Sequence, residues 1–234
     1  PQEVYRSNDR IKALVKEVKK HRQSNLVQLI LSRTDPEFVR RLMELEVPEI
    51  YDGVVELHKI VREPGYRTKI AVISHREDVD PVGACVGPKG SRIQTVITEL
   101  EGEKIDVLEH SADPAVFIAN ALSPAEVLKV IILDEEKRSA LAVVSDTQLS
   151  IAIGKQGQNV RLANRLVDWN IDVKTEAQFA QMDIHADSRK AAEDLFSDDA
   201  LLVADIEEID DALLAVLSEN GIETVDQLVN TPED

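Results

Sequence analysis

The sequence predicts an α+β protein in which one unit of helices and strands occurs twice in tandem. A loop bracketed by glycines begins at Gly87, and a second such loop begins 67 positions later at Gly154. Apolar residues recur at matching positions after the two loops: Ile93, Val96 and Leu100 in the first copy, and Val160, Ala163 and Val167 in the second. Because the loop, the apolar periodicity and a closing strand recur together, we interpret this region as a duplicated module.

Residues 1–34 precede the first copy and contain two strand-like stretches. Their apolar residues are Ile11, Leu14, Val15 and Val18 in the first and Leu26, Val27, Leu29 and Leu31 in the second, with a polar turn at residues 21–25 between them. A two-stranded hairpin is marginally stable by itself. We therefore expect these strands to complete a small barrel whose first part precedes Pro1.

The first copy is predicted to have the element order αββααβ. Asp35 and Pro36 form a helix start, with Asp as the N-cap and Pro in the first turn, and Pro48 ends this helix. Strands are predicted at 53–61 and 68–74, followed by a helix at 80–86, the first loop, a helix at 91–100 and a strand at 104–109. Cys85 lies on the apolar face of the helix before the loop, so we expect a buried side chain.

The second copy repeats this order. Asp113 caps a helix that extends to about Leu122, and strands follow at 127–133 and 139–145. The stretch 127–133 is rich in β-branched residues, which favours a strand over a helix. A helix at 147–153, the second loop, a helix at 158–168 and a strand at 170–174 complete the copy, with Trp169 expected in its core. Only residues 111–113 join the copies, so we expect them to be held at a fixed angle with one continuous surface.

The net charge of −17 is concentrated in the C-terminal segment. Residues 181–234 contain 2 basic and 16 acidic residues, whereas residues 1–180 are close to neutral. The pattern from Leu213 to Val229 predicts half of a helix-hairpin-helix-like unit. The segment has three interpretations: a solubilising surface, a docking module for another protein, or a nucleic-acid mimic that covers the binding surface.

The two glycine loops predict a site for the nucleotide backbone. Glycine allows close approach of another backbone, and each loop precedes a helix whose N-terminal N–H groups favour a phosphate. A helix–GxxG–helix that grips nucleotides is the device of the KH module. The predicted RNA contacts lie in or after the loops: Gly87, Pro88, Lys89, Gly90 and Arg92, then Gly154, Lys155, Gln156, Gly157, Asn159 and Arg161. Lysine and arginine would neutralise phosphates, while Gln156 and Asn159 would add hydrogen bonds.

Enzyme and membrane functions are not expected. The five histidines lack metal-ligand spacing, and Gly154-Lys155 lacks the other residues of a nucleotide-binding P-loop. No catalytic residue, metal or cofactor is therefore predicted. The single cysteine suits a reducing compartment, and no apolar stretch approaches the roughly 20 residues that span a bilayer.

Several longer strings, in order, resemble the NusA family of bacterial transcription elongation and termination factors. They are Glu46-Val47-Pro48-Glu49-Ile50, Asp80-Pro81-Val82-Gly83-Ala84-Cys85-Val86-Gly87, Gly102-Glu103-Lys104-Ile105-Asp106, Asp113-Pro114-Ala115, Ala152-Ile153-Gly154 and Gly157-Gln158-Asn159-Val160-Arg161-Leu162-Ala163. The resemblance implies the end of an OB-type barrel at 1–34, type-II KH modules at 35–110 and 111–176, and an acidic linker with a partial repeat at 177–234.

The resemblance also implies a function. It predicts a cytoplasmic, monomeric factor for pausing, termination and antitermination that binds single-stranded nascent RNA, acts with RNA polymerase, and contacts other transcription factors through its acidic tail. The alternative is a KH-type RNA-binding protein of ribosome assembly or RNA turnover. Proteins that bind ribosomal RNA are usually basic, so the net charge of −17 disfavours this alternative.

Overall fold

The structure is a computed structural model, and it describes residues 3–20 and 27–181. These residues lie in one compact unit of the chain. Near the N-terminus, strands β1 (Leu14–Lys20) and β2 (Val27–Ser32) pair antiparallel, with Leu14 opposite Ser32. The predicted turn at 21–25 and the predicted helical unit in the acidic tail lie outside the described residues.

The first module has the predicted αββααβ order, with one additional short helix. It comprises α1 (Pro36–Glu46), α2 (Pro48–Tyr51), β3 (Val55–Glu63), β4 (Arg67–Ser74), α3 (Pro81–Val86), α4 (Ser91–Glu99) and β5 (Lys104–Glu109). Asp35 caps α1 as predicted, because its side chain accepts a hydrogen bond from the Glu37 N–H. Pro48 follows the end of α1 and also starts α2, since proline is well suited to the first helical position.

The second module repeats the same order. It comprises α5 (Pro114–Ala121), β6 (Val127–Asp134), β7 (Ser139–Val144), α6 (Asp146–Ile153), α7 (Gln158–Val167) and β8 (Asn170–Thr175), and a further helix, α8 (Glu176–Gln181), follows. Asp113 caps α5 through the Ala115 N–H, as predicted. The stretch after Pro124 forms a strand, which confirms the interpretation of its β-branched residues.

Each module contains a three-stranded sheet with the same topology. The central strand pairs antiparallel with the strand before it and parallel with the strand after it, in the orders β3-β4-β5 and β6-β7-β8. Ile70 of β4 lies opposite Ile60 and Val107, and Leu141 of β7 lies opposite Ile131 and Asp172. The parallel pairing requires a crossover, and the two helices with the GxxG loop between them provide it.

The modules share a hydrophobic core. One face of the first sheet packs against α1, α3 and α4, where Cys85 is fully buried as predicted. The other face contributes Val61, Ala71 and Leu108 to a cluster with Phe117 and Leu162 of the second module. Trp169 packs at the edge of this cluster, in agreement with its expected core role. The modules are therefore fixed to each other by apolar burial as well as by their short connection.

No helix among the described residues is long and apolar enough to cross a membrane.

Candidate nucleic-acid interface

The two GxxG loops have the same backbone conformation. The first glycines have φ/ψ angles of 74°/173° at Gly87 and 73°/172° at Gly154, and the last glycines have 75°/14° at Gly90 and 72°/15° at Gly157. Gly87 and Gly154 are also required by packing. A Cβ atom would lie 2.7 Å from the Arg92 side chain in the first loop and 2.8 Å from the Asn159 Cβ in the second.

The last glycine of each loop faces open space at the start of a helix. A Cβ atom on Gly90 would meet its nearest neighbour, Ile93 Cγ2, only at 4.0 Å, and one on Gly157 would meet nothing within 4 Å. These glycines are the N-caps of α4 and α7, and neither position supplies a side-chain cap. A bound anion can therefore approach both helix N-termini closely and satisfy their N–H groups.

Lys89 and Lys155 are exposed, and neither has a hydrogen-bond or ion-pair partner among residues 3–20 and 27–181. They occupy different loop positions, because Lys89 is the third residue of the first loop and Lys155 the second residue of the other. Pro88 and Gln156, at the complementary positions, are exposed as well. Each loop thus presents one free ammonium group beside an open helix N-terminus.

Arg92 has protein partners in this structure. Its Nη1 atom donates to the Ala84 carbonyl at 2.6 Å and to Glu49 Oε2 at 2.8 Å. The guanidinium therefore connects the first turn of α4 with α3 and α2. Because Arg92 already has a carboxylate partner, its contribution to the loop is first of all structural.

Asn159 occupies the position equivalent to Arg92 in the second module, and its predicted hydrogen bond to RNA is wrong for the side chain. The residue is fully buried. Its Nδ2 atom donates to the Leu122 carbonyl at 2.9 Å and to the Ala152 carbonyl at 3.0 Å. Asn159 therefore holds α7 against α5 and α6, and its side chain cannot reach a ligand at the surface.

Arg161 remains half exposed but contacts the first module. Its Nε atom lies 3.1 Å from Glu63 Oε1, and Gln158 Nε2 donates to Glu63 Oε2 at 2.7 Å. The Gln158 hydrogen bond, followed by Arg161, holds the pKa of the Glu63 carboxyl below its usual range. Sequence reasoning missed Glu63 because it lies 98 positions before Arg161, and no local pattern joins them.

Exposed apolar side chains lie on α6, the helix directly before the second loop. Ile151 and Ile153 of α6 are 42% and 36% exposed, which is unusual for isoleucine next to a core. Ala84 and Val86 occupy the corresponding positions on α3. Such surfaces can accept the faces of unpaired bases beside a phosphate site.

Two αββααβ modules with a GxxG loop in the helical crossover define a tandem KH protein, a class that binds nucleic acid. Residues 33–110 match the family model of the NusA-like first KH domain, and residues 114–181 match that of the NusA-like second KH domain.

Three relatives are each named transcription termination/antitermination protein NusA. The chain is 46% identical to the protein of Borreliella burgdorferi over 245 aligned residues, covering 100% of this chain and 50% of the relative. It is 52% identical to that of Halalkalibacterium halodurans, covering 85% and 51%, and 51% identical to that of Bacillus subtilis, covering 79% and 49%. The chain spans about half the length of these relatives. It belongs to the NusA family.

Proposed function

We propose that the chain binds single-stranded RNA through both GxxG loops, as part of a transcription elongation, termination and antitermination factor. The observation that carries this proposal is the matching conformation of the two loops on modules that share one core. Each loop has an open helix N-terminus and an unpaired lysine. Two such sites in a fixed arrangement suit a continuous, flexible polyanion.

The loops would grip the sugar–phosphate backbone, and the neighbouring apolar surfaces would hold bases. A KH module clamps about four nucleotides, so two modules in tandem cover on the order of eight or more. Phosphate contacts position a strand without reading its sequence. We therefore expect salt-sensitive binding with limited sequence preference, and no catalytic step.

The partners follow from the family. Nascent RNA and RNA polymerase are the expected partners in the cytoplasm, and the acidic segment at 177–234 would contact other transcription factors. Within this scheme residues 1–34 form the end of an OB-type barrel, residues 35–110 and 111–176 form the KH modules, and the chain acts as a monomer. A role in ribosome assembly or RNA turnover is the alternative, and co-purification with RNA polymerase separates the two.

A titration with three nucleic acids tests RNA binding. Single-stranded RNA of about 12 nucleotides, long enough for two four-nucleotide sites, is compared with single-stranded DNA and duplex RNA of the same sequence. We expect the single-stranded RNA to bind most tightly, with an affinity that falls as salt rises. Absence of binding, or equal affinity for the duplex, would overturn the proposal.

A further inference from the structure

The first module contains a buried ion pair next to the turn between β3 and β4. Arg62 of β3 and Glu103, which precedes β5, are joined by two hydrogen bonds of 2.8 Å, from Nε to Oε1 and from Nη2 to Oε2. Their side chains are 2% and 1% exposed. Thr68 Oγ1 also donates to Glu103 Oε1 at 2.5 Å. Removing two charges from water is costly, and an apolar pair of similar volume often gives equal or greater stability.

The second module has the same fold without this ion pair. The strand registers assign the positions equivalent to those of Arg62, Thr68 and Glu103, and the residues there are apolar: Ile132, Ala140 and Trp169. The αββααβ fold therefore does not depend on buried charges at these positions. Their role must lie in a contact that the first module makes and the second does not.

The ion pair fixes the turn between β3 and β4. Glu103 Oε2 accepts a hydrogen bond from the Gly65 N–H, within the turn, at 2.8 Å. On its other side, Arg62 Nη1 donates to the carbonyls of Arg33 and Asp35 at 2.7 Å and 3.1 Å. The turn is thus attached to the beginning of β5 and to the segment that leads into α1.

This turn contacts the helix that follows the second loop. Glu63, the residue after Arg62, accepts a hydrogen bond from Gln158 Nε2 at 2.7 Å and lies 3.1 Å from Arg161 Nε. Arg161 Nη2 in turn lies 3.5 Å from the Gln156 carbonyl oxygen, which belongs to the loop itself. A continuous line of contacts therefore extends from the buried ion pair to the second loop.

The corresponding turn of the second module, between β6 and β7, has a different surrounding. Its described ion pairs join Lys137 to Asp134 and Arg138 to Asp168, all within the second module. The buried ion pair is thus present in the module whose turn contacts a neighbouring loop. In the module whose turn pairs with its own residues, apolar side chains take its place.

From this pattern we infer that Arg62 and Glu103 are positioning residues for the second GxxG loop and act on it through Glu63. They hold the turn where Glu63 orients the first turn of α7, and so set the direction of that open helix N-terminus. The inference rests on the proposed RNA binding and assigns part of the second phosphate grip to buried residues of the first module.

Replacing the ion pair with apolar residues tests the inference. The triple variant Arg62→Met, Thr68→Val and Glu103→Leu roughly keeps the volume of the three side chains, and thermal unfolding establishes that it folds. For a single-stranded RNA of about 12 nucleotides, we expect it to bind about 3-fold or more weakly than the wild type. Arg41→Met is the control, because Arg41 forms an exposed ion pair with Glu44 on α1 of the same module. It should bind like the wild type.

Disabling each loop separately gives the decisive readout. In the wild type, Gly90→Asp and Gly157→Asp should each weaken binding by about 10-fold. In the triple variant, Gly157→Asp should weaken it by only about 3-fold, because the second loop already contributes less, whereas Gly90→Asp should keep its full effect. A general loss of stability would not distinguish the two loops in this way.

Glu103→Gln is a second, milder variant, because it keeps the side-chain volume and a carbonyl oxygen for the Gly65 N–H but removes the charge beside Arg62. It should show the same selective loss at the second loop to a smaller extent, and it decides the question if the triple variant does not fold. If the folded variants keep the wild-type affinity and the full effect of Gly157→Asp, the ion pair does not position the loop although RNA binding stands. If the wild type binds no single-stranded RNA, both proposals fail.

Discussion

Glu63 Oε1 of the first module lies 3.1 Å from Arg161 Nε of the second, and Glu63 Oε2 accepts a hydrogen bond from Gln158. Glu63 is the last residue of β3, and Gln158 is the first residue of α7, directly after the second GxxG loop. The contact therefore connects the sheet of one module with the GxxG-loop end of α7 in the other. Because Arg161 already has a carboxylate partner, we expect it to position α7 more than to neutralise phosphate.

Removing this contact should weaken the binding of RNAs that span both loops more than the binding of RNAs that reach only one loop. Glu63→Ala removes both contacts that orient the first turn of α7, which begins directly after the second loop, so the second loop contributes less to the effective concentration that a fixed geometry provides. We expect a loss of about 3- to 10-fold for an RNA of about 12 nucleotides and little change for one of about four. Fluorescence anisotropy with both lengths measures the difference.

A charge exchange separates the bracing role of Arg161 from direct phosphate binding. The double variant Glu63→Arg with Arg161→Glu can re-form the ion pair with reversed polarity. If Arg161 acts as a brace, the exchange should recover the affinity that Glu63→Ala loses. Continued weak binding, as weak as in Arg161→Glu alone, would identify Arg161 as a phosphate ligand.

The same carboxylate should make stability depend on pH. The pKa of Glu63 lies below its usual 4.5, first because of the Gln158 hydrogen bond and then because of Arg161. A carboxyl whose folded-state pKa is depressed contributes stability that is present above its unfolded pKa and is lost as pH falls through the folded pKa. Between about pH 7 and about pH 3, the urea-derived free energy of unfolding should therefore fall more steeply for the wild type than for Glu63→Gln. Parallel pH profiles for the two proteins would contradict this.

The free lysines of the loops should account for part of the salt dependence. Each phosphate contact with a single strand contributes about 0.7 to the slope of log K against log salt. Lys89→Ala and Lys155→Ala should each lower that slope by about this amount, and the double variant by about twice as much. Arg92 has its own carboxylate partner, so replacing it should change stability more than the salt slope.

Lys137→Ala is the control for the two loop lysines. Lys137 is 82% exposed, lies in the turn between β6 and β7, and has its Nζ atom 2.9 Å from Asp134 Oδ2. The adjacent Arg138 pairs with Asp168 at the C-terminal end of α7, about 15 Å from the second loop by the length of the helix. An equal loss of salt slope in Lys137→Ala would show that general charge, and not the loops, determines binding.

The secondary structure could be predicted from the sequence because its boundaries are marked by local chemistry. Asp35 and Asp113 cap the helices that follow them, and glycines bracket both loops, so each signal acts over a few residues. The roles of Arg92 and Asn159 could not be predicted in this way. Both stand second in their helices, and whether that position faces a ligand or the preceding helix depends on tertiary packing.

From the short connection between the modules the sequence predicted that they are held at a fixed angle, but it did not predict that they share a hydrophobic core. Strand β4 is buried on both faces, but it contains Lys69. A charged residue within the strand interrupts the continuous apolar run that would indicate burial on both faces. That lysine is buried because Asp106 and the Ser123 carbonyl satisfy its ammonium group. A sequence-based pattern treats lysine as a surface residue, since its buried partners lie far away along the chain.

Cys85 should react with thiol reagents only when the first module opens. The side chain is fully buried, and burial raises the pKa of its thiol to about 12. At about pH 8 very little thiolate is present in the folded protein, and the reagent has no access to it. We expect iodoacetamide labelling followed by mass spectrometry to track unfolding in urea. Rapid labelling in buffer would show that α3 leaves its position beside the loop in the native protein.

Replacing the last glycine of either loop with aspartate should weaken RNA binding without unfolding the protein. At Gly90 and Gly157 a side chain has room, and aspartate tolerates the left-handed backbone at a cost of about 1 kcal/mol. The added carboxylate would stand where a phosphate must approach, so we expect a loss of affinity of about 10-fold or more, which corresponds to about 1.4 kcal/mol. Gly53→Asp is the matched control, because Gly53 has a φ of +73° and a Cβ atom there would meet nothing within 4 Å, yet it lies in the turn between α2 and β3. If the three variants bind RNA equally well, the loops do not grip phosphate.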